Sequence, residues 1–306
     1  MARVVDGALT AAGVSVDHRD EIPADLADAA LLVVDRATRL AAGHGLRSAS
    51  VPVVVVGDDL DDDGLITLML EAPVSHLVGD PSNPDLGITG EKLVSGDLFG
   101  LEKYVAPNTR FGERVVSTDP ERRVVIGEVC AWAEAIGARK PIVHRLASVV
   151  AELLMNALHD APRESKPTLP TSSAAEGRRG VDVGRDSLPG GSATEGRRGV
   201  ADDGKRAILR WACDANTIAI SVGDAFGALR QRDVIDHVRR AKVERGRPEL
   251  DAHGAGLGLY LVLANVASLV VNVDPGRRTE VVCLFDRTGI DKRAIEPRAK
   301  SLHVFT

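Results

Sequence analysis

Apolar residues recur along this chain in short continuous runs and at helical spacing, and the two patterns alternate. Ala30–Asp35 and Pro52–Gly57 are unbroken apolar runs of the kind a strand buried on both faces requires, and Val74–Val78 continues the series. Val14–Val16 reads as a short alternating strand, Pro23–Ala30 as a helix, and Asp61–Leu70 as a helix opening on acidic residues that suit its dipole. This alternation predicts a small doubly wound α/β domain over 1–95. Residues 96–122 read as a connector, with a short helix over Asp97–Tyr104 and turns at Pro107–Thr109 and Thr118–Pro120. Arg123–Ile136 and Lys140–His159 then carry apolar residues three and four apart, as two helices would.

After an interruption the pattern returns to period two. Ala207–Cys213 and Thr217–Val222 predict antiparallel strands joined by a turn at Asp214–Asn216. Asp233–Val243 and Gly258–Ala267 read as helices. Leu269–Val273 and Glu280–Phe285 read as strands linked by Pro275–Arg278. Residues 288–306 read as a polar, loosely held tail.

The interruption, 161–206, is dominated by Pro, Gly, Ser and Arg and has no aromatic residue. It contains a repeat: Ser173–Val181 (SAAEGRRGV) returns as Ser192–Val200 (SATEGRRGV). Such a segment buries too little apolar surface to offset its ordering entropy, so a disordered insertion is expected. A basic docking segment is the alternative, although its charges nearly balance.

Composition narrows the function. At 306 residues and 44% hydrophobic content the chain can build one or two packed cores. A net charge of -6 and a pI near 5.8 give no reason to expect nucleic acid as a partner, and 3% aromatics leave little for base stacking. No apolar run approaches the roughly 20 residues of a membrane span, so no membrane partner is expected. Met1–Asp6 lacks the pattern of a signal peptide. Cys130, Cys213 and Cys283 are scattered, as in a reduced cytoplasmic protein.

Three motifs carry candidate chemistry. Glu152 and Asn156 are four apart and share one helix face, an acid beside an amide that suits Mg²⁺. Asp224 ends an alternating strand in Asp224-Ala-Phe-Gly227. Gly254-Ala-Gly256-Leu257-Gly258-Leu259 precedes a helix, and glycines there let backbone amides approach phosphates. The spacing is neither the Rossmann fingerprint nor a P-loop, since no Lys follows the last Gly.

In this order the motifs resemble the nucleotide site of the GHKL superfamily, over roughly 123–287. The resemblance implies an α/β sandwich with a mixed sheet that binds ATP and Mg²⁺. Glu152 matches the general-base position and Asn156 the metal-binding Asn. Asp224 matches the Asp that bonds the adenine amino group, and Gly227 a glycine of the same motif, with Phe226 standing where the first glycine would be. Gly254, Gly256, Leu257 and Gly258 match the phosphate loop, and Thr279 the Thr near the final strand. His159 and Asp160 occupy positions that vary between branches. The segment between Asp224 and Gly254 would be the lid.

Residues 1–95 resemble a response receiver, with Asp35 at the phospho-acceptor position. They lack the acidic pair, the hydroxyl residue after the fourth strand (Gly57 stands there) and the Lys after the last (Gly79-Asp80 follows). The resemblance implies a degenerate receiver used for docking or dimerisation, the latter making a homodimer. His144 lies in no phospho-acceptor context, and no transducer domain follows the ATP-binding region, so the closest branch is the anti-sigma-factor serine kinases. That implies a cytoplasmic signalling protein that phosphorylates a protein partner on Ser or Thr. The alternative is a non-catalytic scaffold responsive to ATP.

Overall fold

The computed structural model describes residues 2–23, 25–42, 46, 49–57, 68, 74–81, 84–161, 205–236, 257–287 and 300–306. The elements, in order, are α1 (Ala2–Ala11), β1 (Leu32–Asp35), α2 (Arg36–Ala42), β2 (Val53–Val56), β3 (His76–Val78), α3 (Asp85–Ser95), a 3₁₀ turn (Leu101–Tyr104), β4 (Phe111–Val116), α4 (Asp119–Ala135), α5 (Lys140–Met155) running into a π-helical turn (Asn156–Asp160), β5 (Ala207–Cys213), β6 (Thr217–Asp224), α6 (Leu257–Asn265), β7 (Ser268–Asp274), β8 (Arg278–Asp286) and β9 (Ser301–Phe305). Residues 231–236 form a further helical stretch.

One mixed sheet of nine strands runs through the described residues in the order β1-β2-β3-β9-β7-β8-β6-β5-β4. The first three strands are parallel. β9 pairs antiparallel with β3 and parallel with β7, and the remaining neighbours are antiparallel. Side-chain alternation sorts the two faces. Val55 and Leu77 of the first lobe (2–95, from α1 to α3), Ile218, Ile220, Val271, Cys283 and Val304 share one core with Val129 of α4, Leu146, Val150 and Leu154 of α5, and Leu259 and Leu263 of α6. On the opposite face Val54, Val56 and Val78 pack with Leu9 of α1 and Leu86 of α3. Further along that face Ala219, Val270, Val282 and Phe305 pack with Leu101 and Tyr104.

Local chemistry sets the element ends. Thr118 and Glu121 form a capping box at α4: the Glu121 amide donates to Thr118 Oγ1 at 3.4 Å and Glu121 Oε2 accepts from the Thr118 amide at 3.3 Å. α3 stops at Gly96, whose φ of 72° lets its amide reach the Lys92 carbonyl. The β5–β6 turn is held by Asp214 Oδ1, which accepts from the amides of Asn216 and Thr217, each at 2.8 Å. Lys140–His159 is long and apolar enough to cross a membrane by length and composition, but in this fold its apolar side is part of the core between α4, α6 and the sheet.

Several expectations change. The expected tail includes β9, whose five residues are all buried in the sheet interior. β4 falls in the expected connector, and α1 and α3 occupy stretches with no expected element. Val14–Val16 is not a strand, and no helix covers 25–30. The receiver reading is met only in part: the strands at 32–35, 53–56 and 76–78 are parallel neighbours, as the third to fifth of a 2-1-3-4-5 order would be, but among the described residues no strand precedes Leu32 to stand for the first two. The repeated insertion, the expected helix over 61–70 apart from Leu68, and most of the expected lid lie outside the described residues.

On the face of the sheet that carries α3, buried polar side chains of α3, the 3₁₀ turn, β7 and β8 bond one another. Lys92 Nζ donates to the Tyr104 hydroxyl at 2.8 Å and to Asn272 Oδ1 at 2.6 Å, and lies 3.8 Å from the centre of the Phe305 ring. Asn272 Nδ2 and the Gly100 amide both donate to Glu280 Oε2, at 3.1 and 2.9 Å. Burial brings the Lys92 amine down to about 7, with the Glu280 carboxylate pulling the other way. Burial, helped by nearby Lys92, brings the His76 imidazole down to about 3, and the same cause holds His303 well below its ordinary range.

Candidate functional site

The helix Lys140–Met155 buries Leu146, Val149, Val150, Leu153 and Leu154, which leaves Glu152 and Asn156 half-buried along its other side. At Asn156 the helix widens into the π turn, a form that recurs at functional sites because it shifts the side chains that follow. The turn's far end is tied down: His159 Nε2 and Asp119 Oδ1 lie 3.3 Å apart, and Arg122 Nε reaches the same oxygen at 3.2 Å. The His159 partner holds the Asp119 carboxyl below its usual range. The sequence pattern puts Asp119 in a turn ahead of a helix beginning at Arg123, whereas the helix begins at Asp119 itself, and nothing in the sequence marks it as a partner of His159.

Gly258, in the first turn of α6, faces this pair. A Cβ at Gly258 would stand 2.5 Å from Glu152 Oε2, 3.5 Å from Glu152 Cδ and 3.7 Å from Asn156 Oδ1. Residues about a hundred positions apart therefore come together, and a side chain at 258 would push the Glu152 carboxylate aside. Gly258 thus sets the described start of α6 in the same region, and a helix amino terminus favours anionic groups. Leu257 begins α6. Gly254 and Gly256 lie outside the described residues.

The second group sits at the end of β6. Asp224 pairs with Thr279 of β8, so the two strands bring them side by side. Burial raises the Asp224 carboxyl, while the amides of Phe226 and Gly227 and the Thr279 hydroxyl draw it back down. The Phe226 amide donates to Asp224 Oδ1 at 2.8 Å. The Thr279 hydroxyl is buried and lies near that carboxyl without the geometry of a full hydrogen bond.

Gly227 has a job of its own. Its φ is 57°, and a Cβ there would stand 2.2 Å from the Asp274 carbonyl oxygen and 2.7 Å from the amides of Gly276 and Arg277. The Gly276 amide donates to the Gly227 carbonyl at 3.1 Å. Gly227 thus seats the loop after Asp224 against the β7–β8 turn. The π turn and α5 pack on β6, which makes the two groups neighbours on the same elements.

Among the described residues no three or more His, Cys, Asp or Glu side chains gather as a metal site. A Mg²⁺ carried by phosphates needs few protein ligands, and Asn156 Oδ1 beside Gly258 offers a suitable oxygen. Asp35, at the phospho-acceptor position of the receiver resemblance, is exposed and caps α2. Its Oδ1 accepts from the Thr38 amide at 2.7 Å, and Thr38 lowers its carboxyl.

No family model and no curated protein matches this chain. The solved structures include a chain of the SiaB–SiaC complex from Pseudomonas aeruginosa that is 12% identical, with a TM-score of 0.34, over 57% of this chain and 88% of that one. A likeness that loose decides neither fold nor function.

Proposed function

We propose that this chain is a signalling protein that binds Mg-ATP between α5, the β6–β8 strand ends and the α6 amino terminus. It would pass a phosphoryl group to a Ser or Thr hydroxyl of a protein partner. The observation that carries the reading is the convergence of Glu152, Asn156 and Gly258, three positions singled out by motif order and brought within contact by the fold.

The residues present suit that ligand. Mg-ATP would supply the transferable phosphoryl group, its charge offset by the ion. The glycine at 258 leaves room at a helix amino terminus, where phosphate oxygens are favoured. Asn156 Oδ1 would hold the ion, and Glu152 would take the proton from the attacking hydroxyl. Asp224 would accept a hydrogen bond from the adenine amino group, with Thr279 beside it. Gly227 would serve by holding that loop in place, and Gly254, Gly256 and Leu257 enter the reading from sequence alone.

A second reading rests on one observation. Asp224 Oδ1 already accepts from the Phe226 amide, inside a loop that lacks the usual glycine at 226. This favours weaker adenine recognition, and with it a scaffold in which nucleotide sets conformation only.

Calorimetry with Mg-ATP tests the shared premise: binding is expected, and no heat at millimolar nucleotide would end both readings. Release of labelled phosphate, compared between wild type and Glu152→Gln, then separates them. A kinase or ATPase loses turnover in the variant while keeping affinity, whereas a scaffold has no turnover to lose.

A further inference from the structure

Two walls of the candidate site are anchored at one place, and that place belongs to the first lobe. The first wall is the segment after Asp224. It is seated by Gly227 on the β7–β8 turn and continues into the helical stretch 231–236, where Val234 is fully buried. Gln231 Nε2 at the start of that stretch donates to Ser75 Oγ at 2.9 Å, a contact between residues 156 positions apart. Val74, next to Ser75, lies in the same buried cluster as Val234.

The second wall is α6, whose first turn carries Gly258. Its other end is held by Lys300 Nζ, which donates to the carbonyls of Leu263 and Ala264 at 2.8 and 2.9 Å. Lys300 leads directly into β9. Within β9 the Val304 amide donates to the Ser75 carbonyl at 2.7 Å. Ser75 therefore holds the Asp224 wall through its hydroxyl and, through its carbonyl, the strand that grips the back of α6. The parallel pairing of β9 with β7 and its antiparallel pairing with β3 make this junction the link between the first lobe and the rest of the sheet.

We propose that the first lobe is the regulatory input of the nucleotide site, acting through the junction at Ser75. Whatever shifts or binds the first lobe changes nucleotide affinity by moving both walls, and nucleotide in turn tightens the junction between β3 and β9. The second half follows from the first, because coupling between two sites is reciprocal. The nucleotide half of the inference rests on the function proposed above. The mechanical half, that Gln231 and β9 communicate through Ser75, does not.

Hydrogen exchange on the full chain tests the mechanical half without ligand, using wild type, Ser75→Ala, Gln231→Ala and the double variant. Each single variant should speed exchange over 225–236 by roughly three- to tenfold, the effect of losing one hydrogen bond, and the double variant should go no further. Gln231→Ala, remote in sequence from β9, should also speed exchange at the Val304 amide. Additive single effects, or an unmoved Val304 amide, would overturn the coupling. Calorimetry on the same proteins tests the other half: Mg-ATP affinity should fall by the same factor in each variant, and saturating nucleotide should slow exchange in β9. Equal affinities in all four proteins would overturn the regulatory role. No binding by the wild type would overturn the proposed function, leaving the exchange data to decide the coupling alone.

Discussion

Two polar clusters lie on this sheet, and their differences are instructive. Between α3 and the strands β7 and β8, Lys92, Tyr104, Asn272 and Glu280 are buried and bond one another. At the end of α5, Glu152 and Asn156 are half-buried and stand against a glycine. The first cluster closes on itself and ties α3 and the 3₁₀ turn to β7 and β8. The second leaves an acid and an amide beside a helix amino terminus, against a glycine whose side chain would displace the carboxylate. A buried polar group must find partners inside the fold. A half-buried one facing a gap can take them from a ligand.

The largest test of that contrast is Gly258→Val. Its branched side chain would collide with the Glu152 carboxylate, and Mg-ATP affinity measured by calorimetry should drop below detection. Retained binding would remove Gly258 from the site. Glu152→Gln comes next. Turnover should fall roughly 10²–10⁴-fold, the usual range for a general base, with affinity nearly unchanged. A parallel loss of affinity would mean that Glu152 shapes the site without acting on a proton.

The Lys92 cluster should respond in stability instead. Lys92→Ala leaves the Tyr104 hydroxyl and Asn272 Oδ1 without their shared donor and removes the cation near Glu280, at a cost of about 3 kcal/mol by denaturant unfolding, whereas Lys92→Met, which keeps the bulk, should cost less. The pH dependence has a definite sign. The folded Lys92 amine titrates near 7, below the ordinary value of 10.5, so the folded state binds fewer protons across that interval. Stability therefore rises with pH above about 7, by at most about 1.4 kcal/mol per pH unit, and the slope disappears below 7. Lys92→Met should flatten the rise between pH 7 and 9. An identical slope in both proteins would place the titration elsewhere.

The smallest expected effect has the opposite direction. The Asp224 carboxyl is raised by burial, so its ionised form is disfavoured by the fold at neutral pH. Asp224→Asn keeps an oxygen for the Phe226 amide and removes the charge. Melting should move up by a degree or two while Mg-ATP binding weakens. A fall in both would show that the carboxylate is needed for the loop itself.

Much of this was legible in the chain. Strands with clean alternation or unbroken apolar runs, such as Thr217–Val222 and Pro52–Gly57, appear where the pattern puts them, as do α4 and α5. Elements whose polar residues are buried were not. In Ser301–Phe305 the serine and histidine look like surface residues, and the fold buries both beside Thr89 and Gly79. β4 reads Phe-Gly-Glu-Arg-Val-Val, with two charges at its centre, because it is an edge strand with one side open. At the site, helix periodicity put Glu152 and Asn156 on one face. It could not show that Gly227 is a packing glycine, since that depends on a turn about fifty residues later.

The position of β9 also bears on how the protein is made. Thr89 and His303, in contact across the junction, are 214 residues apart in the chain. As a nascent chain emerges at roughly 5–20 residues per second, β3 waits through the synthesis of β4 to β8 with one edge unpaired, and β7 waits until β9 arrives. Unpaired edges recruit strands from other molecules. Chains released after synthesis stops between Asp286 and Ser301 would therefore display two open edges, one on β3 and one on β7. Such products should be the species that chaperones capture or that domain-swap, with the β9 segment of one molecule filling the gap in another.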